Sequence, residues 1–247
     1  MVVNKNILDK VNGARLRLLH RFSCPGICYL CSNALKQDDF LICWPCKNDL
    51  PLNVPACPAC ALPVPANKTL CGACIRTSSQ SFGNVFALFG YLFPVNRLIH
   101  GLKFHGRIEI AAFIGSCMAR FAVAQGLELL QCFIPVPLHN SRVAERGYNQ
   151  SLEIARSLGA LLNVPVYHGV CGRVLNTPPQ STVSAALRES NIKGAFAISG
   201  PCVSMPKHVA LVDDVITTGA TVKELARVLG CNGVARVDVW ASARTIY

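Results

Sequence analysis

The stretch VALVDDVITTGAT, residues 209–221, decides the fold class of this 247-residue chain. It opens with an apolar run typical of a buried strand, continues with two adjacent carboxylates, Asp213 and Asp214, and ends in small residues and threonines. We expect the strand to end at about Val212 and a helix to start near residues 218–221. A strand, a short loop and a helix in this order are the repeating unit of α/β proteins.

The loop between that strand and helix has the properties of an anion site. Backbone N–H groups of small residues can converge on an anion there, with threonine hydroxyls beside them and the positive end of the helix dipole behind. The chain lacks the glycine and lysine pattern of a nucleoside triphosphate loop, and no dinucleotide-binding glycine pattern follows a strand. The alternative is an ordinary threonine-capped helix with the acidic pair in a solvated turn. The complete pattern favours a bound phosphate.

Strand-like and helix-like segments alternate on both sides of this stretch. Before it, NVFALFGYLF predicts a strand or a strand pair, PVNRLIHGLKFHG and RIEIAAFIGSCMARFAVAQ predict helices, and CFIPVPL predicts a short buried strand. NQSLEIARSLGALLN predicts an amphipathic helix capped by Asn149 or Ser151, and ATVKELARVLGCNG predicts a helix closed by Gly230 or Gly233. With a last strand at ARVDVWASAR, the alternation predicts an α/β fold with a mostly parallel sheet and flanking helices.

The N-terminal part of the chain carries a different signal, a repeated cysteine pair. Four C-x-x-C pairs follow one another at intervals of eleven, ten and ten residues. Two residues between cysteines let both thiolates of a tight turn face one ion, and two such turns complete the tetrahedral sulfur shell that zinc prefers. The repeat predicts a small double ribbon with two structural zinc ions. Its predicted ligands are Cys28, Cys31, Cys43, Cys46, Cys57, Cys60, Cys71 and Cys74.

Other uses of these thiols stay open at this point. One zinc with spare thiols, an iron–sulfur cluster and redox chemistry all use C-x-x-C pairs, although redox chemistry needs only one pair. Disulfides are disfavoured in a reducing compartment. Consecutive pairs sharing an ion are the simplest arrangement, a crossed arrangement is the alternative, and Cys24 is a spare or substitute ligand. Closed thiolate shells leave no position for a reacting water, so we expect the zinc to hold structure.

The distribution of cysteine divides the chain into segments. Nine of the 14 cysteines fall between Cys24 and Cys74, and a polar linker, CIRTSSQSFG, precedes the longer apolar runs. We predict an N-terminal amphipathic helix over residues 1–23, the zinc ribbon over residues 24–80 and the α/β domain over residues 81–247.

Composition narrows the partners and the compartment. Lys and Arg number 24 against 13 Asp and Glu, a net charge of +11 that suits a polyanion or a phosphate-rich ligand, although ordinary solubility explains it as well. No apolar run approaches the roughly 20 residues that span a bilayer, and the charged N-terminal segment lacks a signal-peptide core. We therefore expect a cytoplasmic protein with no membrane insertion.

The thirteen residues quoted first resemble the phosphoribosyl pyrophosphate (PRPP) binding signature of type I phosphoribosyltransferases. The resemblance implies a type I phosphoribosyltransferase-like sheet in which the two aspartates hydrogen-bond the ribose hydroxyls and the loop cradles the 5′-phosphate of PRPP, which carries Mg²⁺. The implied ligand residues of this stretch are Asp213, Asp214, Val215, Thr217, Thr218, Gly219, Ala220 and Thr221.

Basic residues in IPVPLHNSRVAERGYNQS extend the implied site. Arg142, Arg146 and Asn149 stand where the resemblance implies a diphosphate-binding loop, and guanidinium groups suit a diphosphate because they offer planar paired donors. The alternative is two solvated arginines four residues apart on a helix face. Gly147 favours the loop because glycine breaks a helix.

Two further basic segments match the same family. Residues 173–191 correspond to a loop over the site, although Leu175 stands where many relatives carry arginine; the polar members are Arg173, Thr177, Gln180, Arg188 and Asn191. LKFHGR, residues 102–107, supplies the ligand residue Lys103 together with His105 and Arg107. Phe104 between them either stacks on a base, as in single-strand binders, or belongs to the core.

The likeness extends over nearly the whole chain, from Cys28 to about Arg244, and is to the ComF/GntX family of competence-associated proteins. It implies a double zinc ribbon joined to a phosphoribosyltransferase-like domain, with PRPP or a nucleotide-like molecule as ligand. It also implies a role in handling single-stranded DNA during natural transformation or the use of DNA as a nutrient.

Two other functions are compatible with the same residues. One is an active phosphoribosyltransferase, a pentosyl transferase whose acceptor is undefined, with Asp213, Asp214, Arg142 and Arg146 as its catalytic residues. The other is an adaptor whose zinc ribbon docks a helicase-like partner.

Overall fold

The computed structural model describes residues 26–37, 39–77, 82–127, 130–175, 192–199 and 205–246. The predicted N-terminal helix, Cys24 and most of the second basic segment lie outside these ranges, and so do residues 78–81 at the predicted domain boundary. The boundaries therefore stay a prediction. Among the helices within these ranges, none combines the length and apolarity needed to cross a membrane. The elements are, in chain order, α1 (Trp44–Asn48), α2 (Gly72–Arg76), β1 (Val85–Gly90), α3 (Val95–Phe104), α4 (Glu109–Ala124), β2 (Cys132–Pro135), α5 (Asn140–Arg146), α6 (Gln150–Leu162), β3 (Cys171–Arg173), β4 (Phe196–Ile198), β5 (His208–Ile216), α7 (Ala220–Cys231) and β6 (Arg236–Arg244).

A four-stranded sheet in the order β1-β6-β5-β2 forms the centre of the α/β domain. Each neighbouring pair of strands is parallel, which requires the chain to cross back between strands and explains the intervening helices. Strands β3 and β4 form a separate antiparallel pair. The predicted α/β fold, with a mostly parallel sheet and flanking helices, is confirmed.

Strand β5 separates the core into two apolar clusters because successive side chains point to opposite faces of the sheet. Ala210 and Val212 pack in the cluster that includes residues of α3, α4 and α6. Val209 and Leu211 pack in the cluster that includes residues of α7, β3 and β4. Packing on both faces of the sheet holds β5 in place. The same packing fixes the direction of the side chains at the carboxyl end of β5.

The expected end of this strand at Val212 is wrong, because β5 runs on to Ile216. Strand β6 continues the pairing, with Asp213 opposite Ala241, whereas β2 ends opposite Val212. Asp213 and Asp214 therefore lie inside the strand, on the part that projects past β2. Two adjacent charges indicated a loop. In the structure, this part of β5 pairs with the backbone of β6 along one edge, and its other edge extends past β2.

The cysteine-rich ribbon packs directly against the α/β domain. Leu52 of the ribbon forms a β-bridge with Phe89 of strand β1. The guanidinium of Arg97 on α3 donates to the carbonyl of Leu30 at 3.3 Å. The ribbon therefore contacts both the sheet and a helix of the second domain.

Candidate functional site

Each half of the ribbon brings four thiols together. The sulfur atoms of each group all lie within 4.8 Å of one another. Cys31 and Cys43 are 3.6 Å apart in the first group, and Cys60 and Cys71 are 3.5 Å apart in the second. Consecutive pairs therefore share an ion, as the simplest arrangement predicts. The groups are Cys28, Cys31, Cys43 and Cys46, and Cys57, Cys60, Cys71 and Cys74.

The separations between the sulfur atoms match those of four thiolates around one zinc ion. Thiolates at about 2.3 Å from a tetrahedral ion lie about 3.8 Å from one another, close to the separations here. A disulfide needs about 2.05 Å between sulfurs, and these cysteines are free thiols. The backbone N–H of Cys43 donates to the sulfur of Cys28 at 3.3 Å, which favours a charged thiolate. The two clusters are structural zinc sites, and the prediction of structural zinc is confirmed.

The two aspartates of β5 point to different partners. Oδ1 of Asp213 accepts from the backbone N–H of Asp214 at 2.8 Å and from the hydroxyl of Ser151, the second residue of α6, at 3.2 Å. Oδ2 of Asp214 lies 2.9 Å from Nζ of Lys103 on α3. Strand geometry separates the carboxylates, and Lys103 supplies the charge that balances them.

The charges of this group depend on one another. Burial and then the neighbouring Asp214 raise the pKa of Asp213 to about 7, although Lys103 opposes them. Burial lowers the pKa of Lys103, but the two carboxylates outweigh it and leave that pKa above its usual range. Lys103 therefore stays cationic, while Asp213 changes its charge near neutral pH.

The loop after β5 turns sharply into α7, which begins at Ala220 as predicted. Gly219 is the N-cap of this helix and has a φ of 83°, the left-handed conformation that favours glycine. The hydroxyl of Thr218 accepts from the N–H of Ala220 at 3.4 Å. Because glycine brings no capping side chain, an anion can take the place that a cap has at other helix N-termini.

A shallow cleft, open to solvent, lies between the end of β5 and the start of α7. Thr218 and Ala220 do not belong to its lining, and Asp214 is turned toward Lys103 instead. The cleft brings one carboxylate together with the predicted phosphate loop. It is lined by Asp213, Val215, Ile216, Thr217, Gly219, Thr221 and Val222.

One residue of this region, Arg244 at the end of β6, escaped the sequence reasoning. Its side chain is buried, and Nη1 donates to the carbonyls of Ile216 and Thr217 at the start of the loop. Its Nε donates to the carbonyl of Cys60, a zinc ligand, at 2.8 Å. The only signal in the sequence is a single arginine that follows an apolar strand, WASAR, which also describes many surface residues.

Arg142 and Arg146 lie on helix α5, so the expectation that Gly147 keeps them in a loop is wrong. Gly147 has a φ of 80° and ends the helix after Arg146 rather than before it. The guanidinium of Arg146 donates to Oε1 of Gln150 at 3.2 Å and lies 5.2 Å from the ring centroid of Phe104. A seven-residue helix followed by a left-handed glycine fits both arginines on its surface.

Both polar atoms of the Asn149 side chain form hydrogen bonds with backbone groups around the start of α6. Its Oδ1 accepts from the N–H of Ser151 at 3.0 Å, and its Nδ2 donates to the carbonyl of Val136 at 3.0 Å. The predicted helix cap at Asn149 is confirmed. Contact between this amide and a diphosphate stays a prediction, for which the amide nitrogen has a second N–H to donate.

Arg173 of β3 joins the charged residues around Asp213. Burial and then the neighbouring Arg142 lower the pKa of Arg173, whereas Asp213 raises it. Burial and then Arg146 lower the pKa of Arg142. Arg142 is therefore under the influence of the positive charge of Arg146, and Arg173 under that of Arg142. An anionic ligand would relieve this repulsion.

Known proteins match this chain in the ribbon and over nearly its full length. A model of the double zinc ribbon domain matches residues 19–75. The "DNA utilization protein YhgH" of Salmonella typhimurium is 34% identical over 90% of this chain and 98% of its own length. "Competence protein F" of Haemophilus influenzae is 30% identical over 95% of this chain and 99% of its own length. A solved hypoxanthine phosphoribosyl transferase of Trypanosoma cruzi is 15% identical, covering 56% of this chain and 64% of its own, with a TM-score of 0.31.

The fold and the thiol clusters define a protein with a double zinc ribbon packed on an α/β domain that carries an acidic pair at the carboxyl end of its sheet. The chain belongs to the ComF family, and the resemblance found in its sequence is confirmed.

Proposed function

We propose that this protein binds PRPP or a related ribose-phosphate ligand at the end of β5 and handles single-stranded DNA, in the cytoplasm, during DNA uptake or DNA utilisation. One observation carries the ligand proposal. Asp213 lines a cleft together with the threonine–glycine loop at the N-terminus of a twelve-residue helix. Ligands of open parallel sheets bind at the carboxyl ends of the strands, where this cleft lies.

The chemistry of the ligand follows from the groups around the cleft. Asp213 and Asp214 can each accept a hydrogen bond from a sugar hydroxyl, and hydrogen bonds to charged acceptors are strong. Residues 217–221 supply N–H groups and hydroxyls for the 5′-phosphate beside the helix dipole. Mg²⁺ bound to PRPP would offset diphosphate charge, together with Lys103 and the arginines.

The DNA part of the proposal is supported by the relatives and by the charge of the chain. Two relatives that align over nearly their full length are named for DNA utilization and for competence. The net charge of +11 suits a nucleic-acid backbone. Both named processes involve DNA as an incoming molecule, so we take DNA as the macromolecular partner.

Calorimetry with PRPP and Mg²⁺ tests the ligand. We expect saturable binding to the zinc-loaded wild type and a loss of at least tenfold in affinity for Asp213→Asn/Asp214→Asn. Asp49→Asn, an exposed carboxylate of the ribbon, is the matched control and should bind like the wild type. A folded wild type that binds no PRPP would overturn the ligand assignment.

Salt dependence tests the DNA partner. Phosphate contacts release counterions, so affinity for a short oligothymidylate should fall steeply as salt increases. Anisotropy titrations at several salt concentrations measure the slope. An affinity that is independent of salt contradicts a backbone contact, whatever the PRPP result.

The clustered arginines also favour an active phosphoribosyltransferase as a second function. In that reaction a nucleophile displaces pyrophosphate at the anomeric carbon of PRPP, and cationic groups stabilise the departing diphosphate. Arg146 lowers the pKa of Arg142, Arg142 lowers the pKa of Arg173, and Asp213 raises the pKa of Arg173, which is the pattern of a positively charged group next to the acidic pair. Pyrophosphate release across a panel of nucleobases would support turnover, whereas PRPP binding without release favours a binding role.

A third role, an adaptor for a helicase-like partner, is favoured by exposed apolar residues on the ribbon. Trp44 and Ile75, on the short helices of the two halves, are 42% and 64% exposed. Pull-down of a purified helicase by the wild type, but not by Trp44→Ser/Ile75→Ser with both zinc ions retained, would support this role. Equal capture by both proteins would contradict it.

A further inference from the structure

An exposed aromatic ring stands at the end of helix α3, beside the lysine that binds Asp214. The other large apolar residues of this helix, such as Leu98 and Leu102, are completely buried, whereas Phe104 is 59% exposed. Phe104 is therefore not a core residue. Its sequence neighbour Lys103 reaches Asp214 at 2.9 Å, so the ring belongs to the helix that contacts the acidic pair.

Other planar groups surround this ring without burying it. The guanidinium of Arg146 lies over it, 5.2 Å from its centroid. The imidazole of His100 is tilted against it with centroids 4.9 Å apart, and His105 is 5.0 Å beyond His100. One phenyl ring, one guanidinium and two imidazoles thus form a partly cationic cluster in which the phenyl ring remains accessible to a further planar group.

The residues around the ring also border the ribose-phosphate site. Lys103, which precedes Phe104 on α3, forms an ion pair with Asp214. Arg146, whose guanidinium lies over the ring, adds a positive charge to the same surface. A molecule held at the acidic pair therefore lies beside the helix that carries the aromatic surface.

We infer that Phe104, with Arg146 and His100, is a stacking surface for a nucleobase whose sugar-phosphate is held by the adjacent acidic and basic residues. The inference rests on the proposed ribose-phosphate site and adds the chemical class of the neighbouring group. A nucleobase fits this surface better than an aliphatic side chain, because it is planar, because guanidinium and aromatic groups stack on π faces, and because its phosphate complements the cations.

Paired probes with and without a base test the surface. Phe104→Leu keeps an apolar side chain but removes the ring, and Phe104→Trp keeps a ring. We expect Phe104→Leu to weaken oligothymidylate binding about tenfold and to leave an abasic oligomer of the same length unaffected. Phe104→Trp should restore binding, and its added indole fluorescence should be quenched by the base-bearing oligomer.

Small ligands identify the source of the base. Uridine monophosphate and ribose 5-phosphate differ only in the base. If Phe104→Leu loses affinity for uridine monophosphate but not for the oligomer, the surface binds a mononucleotide. If it loses affinity for the oligomer but not for uridine monophosphate, the surface binds DNA. Either result supports stacking. Binding of ribose 5-phosphate tests the underlying site independently, because Phe104→Leu should not change it.

Phe93→Leu is the matched control, since Phe93 is even more exposed, at 73%, and is not part of the aromatic cluster in the described residues. It should bind every probe like the wild type. Equal weakening of base-bearing and abasic probes by Phe104→Leu, or no weakening at all, would overturn the inference. A change in oligomeric state on Phe104→Leu, read by sedimentation, would instead assign the ring to a protein contact and overturn it too.

Discussion

At the scale of single residues, the two adjacent carboxylates are compatible because the strand separates them and Lys103 balances their charge. Asp214 forms an ion pair with Lys103, and Asp213 accepts hydrogen bonds from Ser151 and from the backbone. When an ion pair is removed from water, loss of one partner leaves an uncompensated charge and is destabilising. The ion pair with Lys103 holds Asp214, and the charge that responds to pH near neutrality is at Asp213.

That difference predicts a pH-dependent stability. The pKa of Asp213 is raised to about 7 in the folded protein, far above the value near 4 of an unfolded carboxyl. The folded state keeps a proton that the unfolded state has lost, so stability falls as pH rises from about 4 to about 7 and levels off above that. Asp213→Asn should lack this fall and be more stable than the wild type at pH 8, by on the order of 4 kcal/mol.

Urea unfolding between pH 4.5 and pH 8 measures this difference, because that window spans the pKa of the unfolded carboxyl and the raised pKa of folded Asp213. Asp49→Asn changes an exposed carboxylate and should reproduce the wild-type slope. If Asp213→Asn and the wild type lose stability in parallel, Asp213 does not carry the proton.

At the scale of elements, each half of the ribbon is held by its own ion. The second half has only a small apolar cluster of its own, around Cys57, Ala59 and Val64, whereas buried residues of the first half such as Leu41 and Ile42 pack into the core of the α/β domain. In such small units metal binding supplies much of the folding free energy. The halves should therefore lose their ions separately.

Zinc stoichiometry tests that independence. We expect two zinc ions per wild-type chain and one for Cys57→Ser, because removal of one ligand opens one tetrahedral shell and leaves the other intact. Cys132→Ser, a buried cysteine of β2 that belongs to neither group, should keep both ions. Native mass spectrometry counts the ions, and a Cys57→Ser chain with none or with two would contradict separate sites.

Helix α7 offers a matched pair of glycines at its two ends. Gly219 before its first residue has a φ of 83°, and Gly233 after its last turn has a φ of 93°. Alanine at either position should cost about 1 to 2 kcal/mol because left-handed conformations are unfavourable for residues with a Cβ. Only Gly219→Ala should also weaken binding of inorganic phosphate, measured by calorimetry, since only Gly219 lines the cleft. Equal phosphate affinity in both variants would contradict a phosphate site at this helix.

Elements with strong local signals could be predicted from the sequence, and positions that depend on distant partners could not. The cysteine spacing determined the zinc ligands, and alternating apolar segments determined the α/β class. The extension of β5 past Val212 depends on pairing with β6, which follows it by a whole helix. The partner of Asp214 is more than a hundred residues away on α3, and no local pattern indicates which lysine it is.

At the scale of the whole molecule, Arg244 connects the two domains. One guanidinium donates to the start of the phosphate loop and to the carbonyl of the zinc ligand Cys60. Buried carbonyls that lose a charged donor are costly. The loop geometry therefore depends on a residue that also contacts the ribbon. We expect loss of zinc from the second site to weaken phosphate binding at the cleft.

Arg244→Met should lower the unfolding free energy by about 2 to 4 kcal/mol and weaken phosphate binding, while the chain retains both zinc ions. Arg156→Met, which removes an exposed ion pair on α6, should cost less than about 1 kcal/mol. Unfolding and calorimetry on both variants measure these effects.

A double-mutant cycle shows whether the connection runs through Arg244. Cys57→Ser should weaken phosphate binding in the wild-type background and have little further effect in Arg244→Met. Additive losses would mean that the zinc site and the arginine act independently.

The position of the ribbon on strand β1 has a consequence for the protein without metal. β1 is the outermost strand of the sheet, and Leu52 and neighbouring backbone of the ribbon occupy its free side. An uncovered outer strand is a template for pairing with another chain. Loss of zinc would uncover it, so a shortage of the metal would lead to self-association and clearance of the protein rather than to an inactive monomer.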